Sequence, residues 1–290
     1  IFIPQRKPRR RFCACSERQV RMLKDITLGQ YFPGNSLLHR LDPRTKIIAE
    51  LCFIVAVFLA KGYFGYAALL IFSAALIVLS RLPFRVILRG MKPLIVIILF
   101  TAAINVFWTS GQTLLFSWRF IKIYREGIEY AVFMLIRILT LVIGSGVLLT
   151  YTTSPILLTD GIEALLAPLK KLHLPVHEFA MMMTIALRFI PLLTEETDKI
   201  MNAQKSRGAD FESGNLLRRI KALIPILVPL FISAIYRADE LAVAMECRCY
   251  RGGEGRTKMR SLRMHAADVF FLCAMLLFCG GLILLRSFGL

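Results

Sequence analysis

The chain has 290 residues, is 57% hydrophobic and carries a formal net charge of +18, with a mean hydropathy of +0.63. A soluble domain is seldom both so apolar and so charged, whereas a membrane protein with basic cytoplasmic faces is. Nucleic-acid binding, the usual rival for a pI near 10.0, is set aside because the basic residues alternate with stretches too apolar for water.

In chain order, residues 1–21 (IFIPQRKPRRRFCACSERQVR) hold no initiating Met and no apolar core long enough for a signal peptide. Met22 is the expected start, which makes 1–21 a non-native or disordered basic extension; the alternative is a polybasic arm on anionic lipid. Residues 29–46 read GQYFPGNSLLHRLDPRTK. There Pro33-Gly34 makes a turn, Asp42-Pro43 opens the first membrane helix, and Arg44 and Lys46 fall at headgroup level.

Five stretches meet the ~20-residue requirement for crossing a bilayer, some of them short and completed by neighbours. They are 45–61, 63–80, 92–109, 127–150 and 266–286. The linker RLPFRVILRGMKP (81–93) is basic and amphipathic and suits a helix lying along the inner leaflet. The loop 108–126 holds both tryptophans, Trp108 and Trp118, as interfacial anchors. In the fourth span Arg137 stands about ten residues deep, where a lone arginine needs a protein partner or a water cavity. It marks either a functional or assembly site or a structural pair with Glu50. Gly144-Ser145-Gly146 permits close helix contact in the same span.

After a short amphipathic segment, YTTSPILLTDGIEALLAPLKKLHL (151–174), come two long helices that end alike. In 176–208 the residues Phe179, Met182, Ala186, Phe189, Leu193, Ile200 and Ala203 recur every three or four positions. In 216–250 the same rhythm places Ile220, Leu223, Leu227, Leu230, Ala234, Leu241 and Met245. One step further, each apolar stripe lands on an arginine between small residues: Ser206-Arg207-Gly208 and Cys247-Arg248-Cys249. A charge in phase with the apolar face looks at whatever that face packs on. Small neighbours let a partner backbone approach the guanidinium, whose planar fork suits carboxylates or free helix-end carbonyls. The competing reading is that a cation simply favours the last turn of any helix. Pro191, Pro225 and Pro229 are expected kinks, and RGGEGRTKMRSLR (251–263) is a flexible basic linker to the last span.

With the amino terminus in the cytoplasm, segments 1–46, 81–92 and 151–265 hold 31 of the 37 lysines and arginines. The opposite side holds Lys61, Arg119, Lys122, Arg125 and Arg286. The positive-inside rule therefore orients the chain, with both arginine tips cytoplasmic and the carboxyl terminus outside. The expected architecture is all-α. A four-helix membrane domain (22–150) is followed by a cytoplasmic module of long crossing amphipathic helices (151–265) and a last span (266–290).

Catalytic signatures are missing from the sequence. It contains no GxxxxGK[ST] P-loop for ATP and no HExxH. The pairs Cys13/Cys15 and Cys247/Cys249 are weak metal signals, and Cys52, Cys273 and Cys279 lie in apolar runs that suit packing. A membrane enzyme is thereby disfavoured, and a scaffold or insertion factor with basic tips remains as the alternative to a transport subunit.

Four blocks together carry a family resemblance: GQYFPGNSLLHRLDPRTK (29–46), TTSPILLTDGIEALLAPL (152–169), ALRFIPLLTEE (186–196), and the pair AQKSRG and AMECRCY. From Met22 to Leu290 the chain resembles the transmembrane T component of energy-coupling factor (ECF) transporters, ABC importers of vitamins and metals. The resemblance implies a non-catalytic coupling subunit in the cell membrane with two ABC ATPase partners, a substrate-binding S component and no nucleic acid. It also implies that ATP and Mg are bound by the ATPases and that this chain binds no cofactor. Two Ala-Arg-Gly-like motifs in the family dock in ATPase grooves, which carries over to Ser206, Arg207, Gly208 and to Cys247, Arg248, Cys249. The second motif departs from the pattern, because Cys247 and Cys249 replace Ala and Gly and put the glycine's backbone freedom in doubt.

Overall fold

The computed structural model describes residues 31–108, 113–118, 121–172, 175–209, 211, 216–252, 262 and 264–287. The extension 1–21 and Met22 lie outside the described residues. The described residues fall into two compact units, one within 29–169 and 258–290 and one within 170–257.

The first unit begins with a single turn, α1 (Leu37–Arg40), capped by Ser36, whose hydroxyl accepts from the His39 amide at 3.4 Å. Helix α2 (Pro43–Leu59) starts as expected at Asp42-Pro43: the Asp42 carboxylate accepts from Arg44 N at 3.0 Å, and proline fills the first helical turn where no donor is needed. Then follow α3 (Gly62–Ser80) and α4 (Phe84–Trp108). A hairpin of β1 (Leu114–Trp118) and β2 (Ile121–Tyr124) leads to α5 (Arg125–Ser145). A π-helical turn (Gly146–Thr150), α6 (Pro155–Leu166) and a 3₁₀ turn (Ala167–Leu172) come next, and the unit closes with α9 (Ala266–Ser287).

Helix α2 is the centre of this unit. Ala49, Phe53, Ala56 and Val57 are fully covered, and the helix packs on α5, α6 and α9. Alanines and Gly144 make the close approach, since a Cβ on Gly144 would run into the Phe53 ring. Phe72 stacks on Phe53 (centroids 6.1 Å) and on Phe278 (4.1 Å), joining α2, α3 and α9.

A buried polar knot ties one end. Asp268 is 1% exposed; its Oδ1 accepts from Asp42 N and its Oδ2 from His265 N, each at 2.7 Å. Beside it Lys46 donates to Thr152 O at 3.0 Å and Thr153 Oγ1 at 3.1 Å. The starts of α2 and α9 and the end of α5 with its π turn are thus at one level, as alternating up-and-down spans require. Lys46 itself corrects an expectation. It is 2% exposed and turned inward, where its bonds to Thr152 O and Thr153 Oγ1 and the nearby Asp42 and Asp268 offset the cost of burial.

Among the described residues five helices are long and apolar enough to cross a membrane, or six if the bent pair in α4 is one span. Gly62–Ser80, Arg125–Thr150 and Ala266–Ser287 match three expected spans. The expected 45–61 span forms α2, of 17 residues, one face of which is covered by its neighbours while Leu51, Val55 and Phe58 on the other are exposed. The expected 92–109 span is the second arm of α4, and the amphipathic linker is its first, with a 62° bend between Phe84–Lys92 and Leu94–Trp108. The hairpin was not foreseen, because its strands of five and four residues are too short for alternation to stand out. Trp108 is exposed at the end of α4.

The second unit is built on α7 (Val176–Ser206, 31 residues) and α8 (Leu216–Cys247, 32 residues). Pro191, Pro225 and Pro229 lie inside helices that run on past them rather than ending them. Both helices, expected as a cytoplasmic module, also meet the length and apolarity of a membrane crossing. Much of their apolar surface is uncovered: Phe179, Met182, Leu227, Phe231 and Tyr236 are all more than half exposed, while Ala180 and Ile226 are buried. Apolar faces of this extent signal an interaction surface.

Candidate functional site

The two arginine tips share one backbone device. At the end of α7 the chain turns left-handed at Gly208 (φ +86°). The Gly208 amide donates to Lys205 O and the Ala209 amide to Gln204 O, both at 3.0 Å. At the end of α8 it turns left-handed at Cys249 (φ +56°), with Cys249 N donating to Glu246 O at 2.8 Å and Tyr250 N to Met245 O at 3.1 Å. Backbone amides therefore satisfy the last carbonyls in both places, and the arginine is the capping residue in both.

This division of labour leaves the guanidinium groups unused. Arg207 and Arg248 are exposed, and among the described residues neither side chain has an ion-pair or hydrogen-bond partner. If the arginines served their own helices, their side chains would be drawn to the terminal carbonyls. Ser206 is similarly folded away, its Oγ donating to Asn202 O at 3.0 Å, so that no flanking side chain crowds Arg207. Around Gly208 a Cβ would meet nothing within 4 Å; this glycine serves its φ and an open approach, not packing.

Cys249 keeps the same left-handed turn without glycine. A Cβ there costs about 1 kcal/mol or more. Changing Cys249→Gly is expected to relieve about 1 kcal/mol and to slow amide exchange at Cys249 and Tyr250 about 5-fold. Hydrogen-exchange mass spectrometry of the tip measures it, and unchanged or faster exchange would show the turn to be unstrained. Both Cys247 and Cys249 are free and exposed. No cluster of three potential metal ligands occurs among the described residues.

Between the tips and the helix starts, a polar clasp that the sequence reading did not identify joins α7 to α8. Glu196 Oε1 accepts from Ser233 Oγ at 2.6 Å and Glu196 Oε2 from Arg237 Nη2 at 2.7 Å, while Arg237 Nε reaches Ser233 Oγ at 3.4 Å. Its signal was in view: Arg237 is the first charge after a long uncharged run, and Glu196 ends the ALRFIPLLTEE block. Their pairing joins residues 41 apart, which one helix's periodicity cannot reveal.

Within the membrane unit, Arg137 and Glu50 do not pair. Arg137 Nη2 donates to Tyr66 Oη, and its Cζ lies 5.7 Å from the Tyr66 ring centroid. Glu50 is 5% exposed, further along α2 near the Phe53–Gly144 contact, and both its oxygens lack a hydrogen-bond partner within 3.5 Å. The two candidates thus occupy separate places in the bundle.

The chain is similar to known proteins over most of its length. Residues 34–259 match the family model described as cobalt transport protein. The chain is 55% identical over 260 residues to the energy-coupling factor transporter transmembrane protein EcfT of Clostridium kluyveri, covering 89% of this chain and 96% of that one. It is 57% identical over 248 residues to the protein of that name from Ruminiclostridium cellulolyticum (86% and 92% covered). With that of Bacillus subtilis it shares 48% over 266 residues (92% and 100% covered). By these matches over most of its length, the chain belongs to the family of energy-coupling factor transporter transmembrane proteins.

Proposed function

We propose that this chain is the coupling subunit of an ECF-type importer, passing ATP-driven motion of two ABC ATPase subunits to a membrane-embedded substrate-binding S component. The observation that carries the reading is the pair of exposed, unpartnered arginines at the same position of two like-built helix ends. Each of Ser206-Arg207-Gly208 and Cys247-Arg248-Cys249 docks in a groove of one ATPase. Closure of the ATPase pair on ATP moves both tips together, and α7 and α8 transmit the displacement to the S component lying on their uncovered apolar faces. ATP and Mg are held by the ATPases, and this chain performs no bond chemistry; its part is to couple two sites through an element with two positions. Similarity in length and sequence blocks favours a module shared among several vitamin S components.

In this reading α7 and α8 lie at the inner membrane face, although their length would allow a crossing. Seven charged residues on each helix, several in the halves nearest the tips, are costly in hydrocarbon and suit the interface. Purification in mild detergent tests the assembly: two ATPase subunits and an S component should remain bound. Their absence would favour a scaffold or insertion factor.

Orientation is tested separately. In a cysteine-free background, Thr113→Cys should react with an impermeant maleimide on intact cells, and Asn202→Cys only after permeabilisation. Labelling of both from the same side would overturn the charge-based topology. The side chain of Trp118, the other expected interfacial anchor, lies outside the described residues.

A further inference from the structure

A second interaction site lies inside the membrane unit. Arg137 opens into a cavity of about 350 Å³ lined by Tyr66, Asn105, Tyr130, Phe133, Met134 and Arg137 itself. Tyr66 is 5% exposed and held in place by Phe133, which stacks on it at 4.8 Å and meets Tyr63 edge-on at 5.0 Å. The aromatic wedge directs the Tyr66 hydroxyl to Arg137. At the mouth, Tyr130 and Met134 are 62% and 39% exposed.

The charge in this cavity is left open. Arg137 Nε is buried and without a hydrogen-bond partner, and no carboxylate lies within ion-pair distance among the described residues. A tyrosine hydroxyl and a ring face lessen the cost of a guanidinium in hydrocarbon, but neither neutralises it. Depth narrows the source of the missing anion. Arg137 sits near the middle of the 26-residue span Arg125–Thr150, about 20 Å of helix from either end. Lipid phosphates lie beyond the ~15 Å half-thickness of the hydrocarbon core. An anion that reaches this level has to arrive on a membrane-spanning element. The guanidinium fork matches a carboxylate with two parallel hydrogen bonds.

We propose that the Arg137 cavity receives an Asp or Glu side chain from a transmembrane helix of the substrate-binding subunit, which locks that helix against α3, α4 and α5. The inference rests on the coupling-subunit reading for the existence of that subunit, and on the cavity for the contact. The site acts in lateral assembly inside the bilayer, apart from the ATPase tips.

The experiment places a benzophenone amino acid at Tyr130 in the full complex in native membranes. On irradiation the adduct should map to a membrane helix of the substrate-binding subunit, within about one helical turn of an Asp or Glu. Arg137→Gln should lower its yield about 10-fold while ATPase retention stays unchanged. Charge exchange, Arg137→Glu with that acidic residue changed to Arg, should restore it. Adducts confined to lipid or to this chain, no adduct at all, or an undiminished yield in Arg137→Gln would overturn the proposal. If instead no substrate-binding subunit is present in the wild-type complex, the coupling reading fails first and this contact with it.

Discussion

Replacing Arg207 and Arg248 together with alanine is expected to abolish retention of the ATPase subunits, and with it ATP-driven uptake; each single change is expected to weaken docking. The magnitude follows from what the guanidinium groups are left free to do. With backbone amides already capping the carbonyls of α7 and α8, each arginine is available for an external carboxylate or carbonyl. Removing one partner of a desolvated, hydrogen-bonded charge pair costs about 2–5 kcal/mol. An arginine serving only its own helix dipole would contribute about 0.3–1 kcal/mol, and lysine would replace it well. Lysine should therefore rescue docking poorly, because it supplies charge without the planar fork. Affinity of the ATPases for the single, double and lysine variants measures the difference, and undiminished affinity in the double alanine variant would contradict it.

The largest effect on stability is expected at Asp268. Its two oxygens each hold a backbone amide, Asp42 N and His265 N, at 2.7 Å in a nearly dry site. In Asp268→Ala both amides lose their partner, and buried Lys46 loses a neighbouring charge. Each unpaired buried donor costs about 1–3 kcal/mol, so the loss of both should total about 2–6 kcal/mol. The thermal unfolding midpoint in detergent should fall by on the order of 10 °C. Asp268→Asn keeps one acceptor oxygen and should fall less. An alanine variant as stable as the parent would show that the knot does not join α2 to α9.

The long helices were legible because a stripe repeating every three or four residues survives in any context. The start of α2 was legible for a local reason, the Asp42-Pro43 cap. Both arginine motifs stood out because each continued its own stripe. What escaped notice depended on partners distant in sequence. Lys46 looks like a headgroup lysine until Thr152, 106 positions later, is seen to accept from it. Asp268 looks like an ordinary first-turn acid until it meets Asp42. The pairing of Arg137 with Glu50 was reasonable on charge alone, but the Tyr63–Phe133–Tyr66 stack carries Tyr66 to the arginine instead. Cys249 shows the reverse case. Its type argued against a left-handed turn, yet the turn's backbone bonds hold it at φ +56°.

The central claim is that each arginine tip is seated in an ATPase. Photocross-linking from Ser206 and from Cys247, one position at a time in the assembled complex, tests it most directly. The account predicts an adduct with an ATPase subunit from each position, and a different copy or subunit for each tip. Adducts from either tip only with lipid or with the membrane subunits would contradict it.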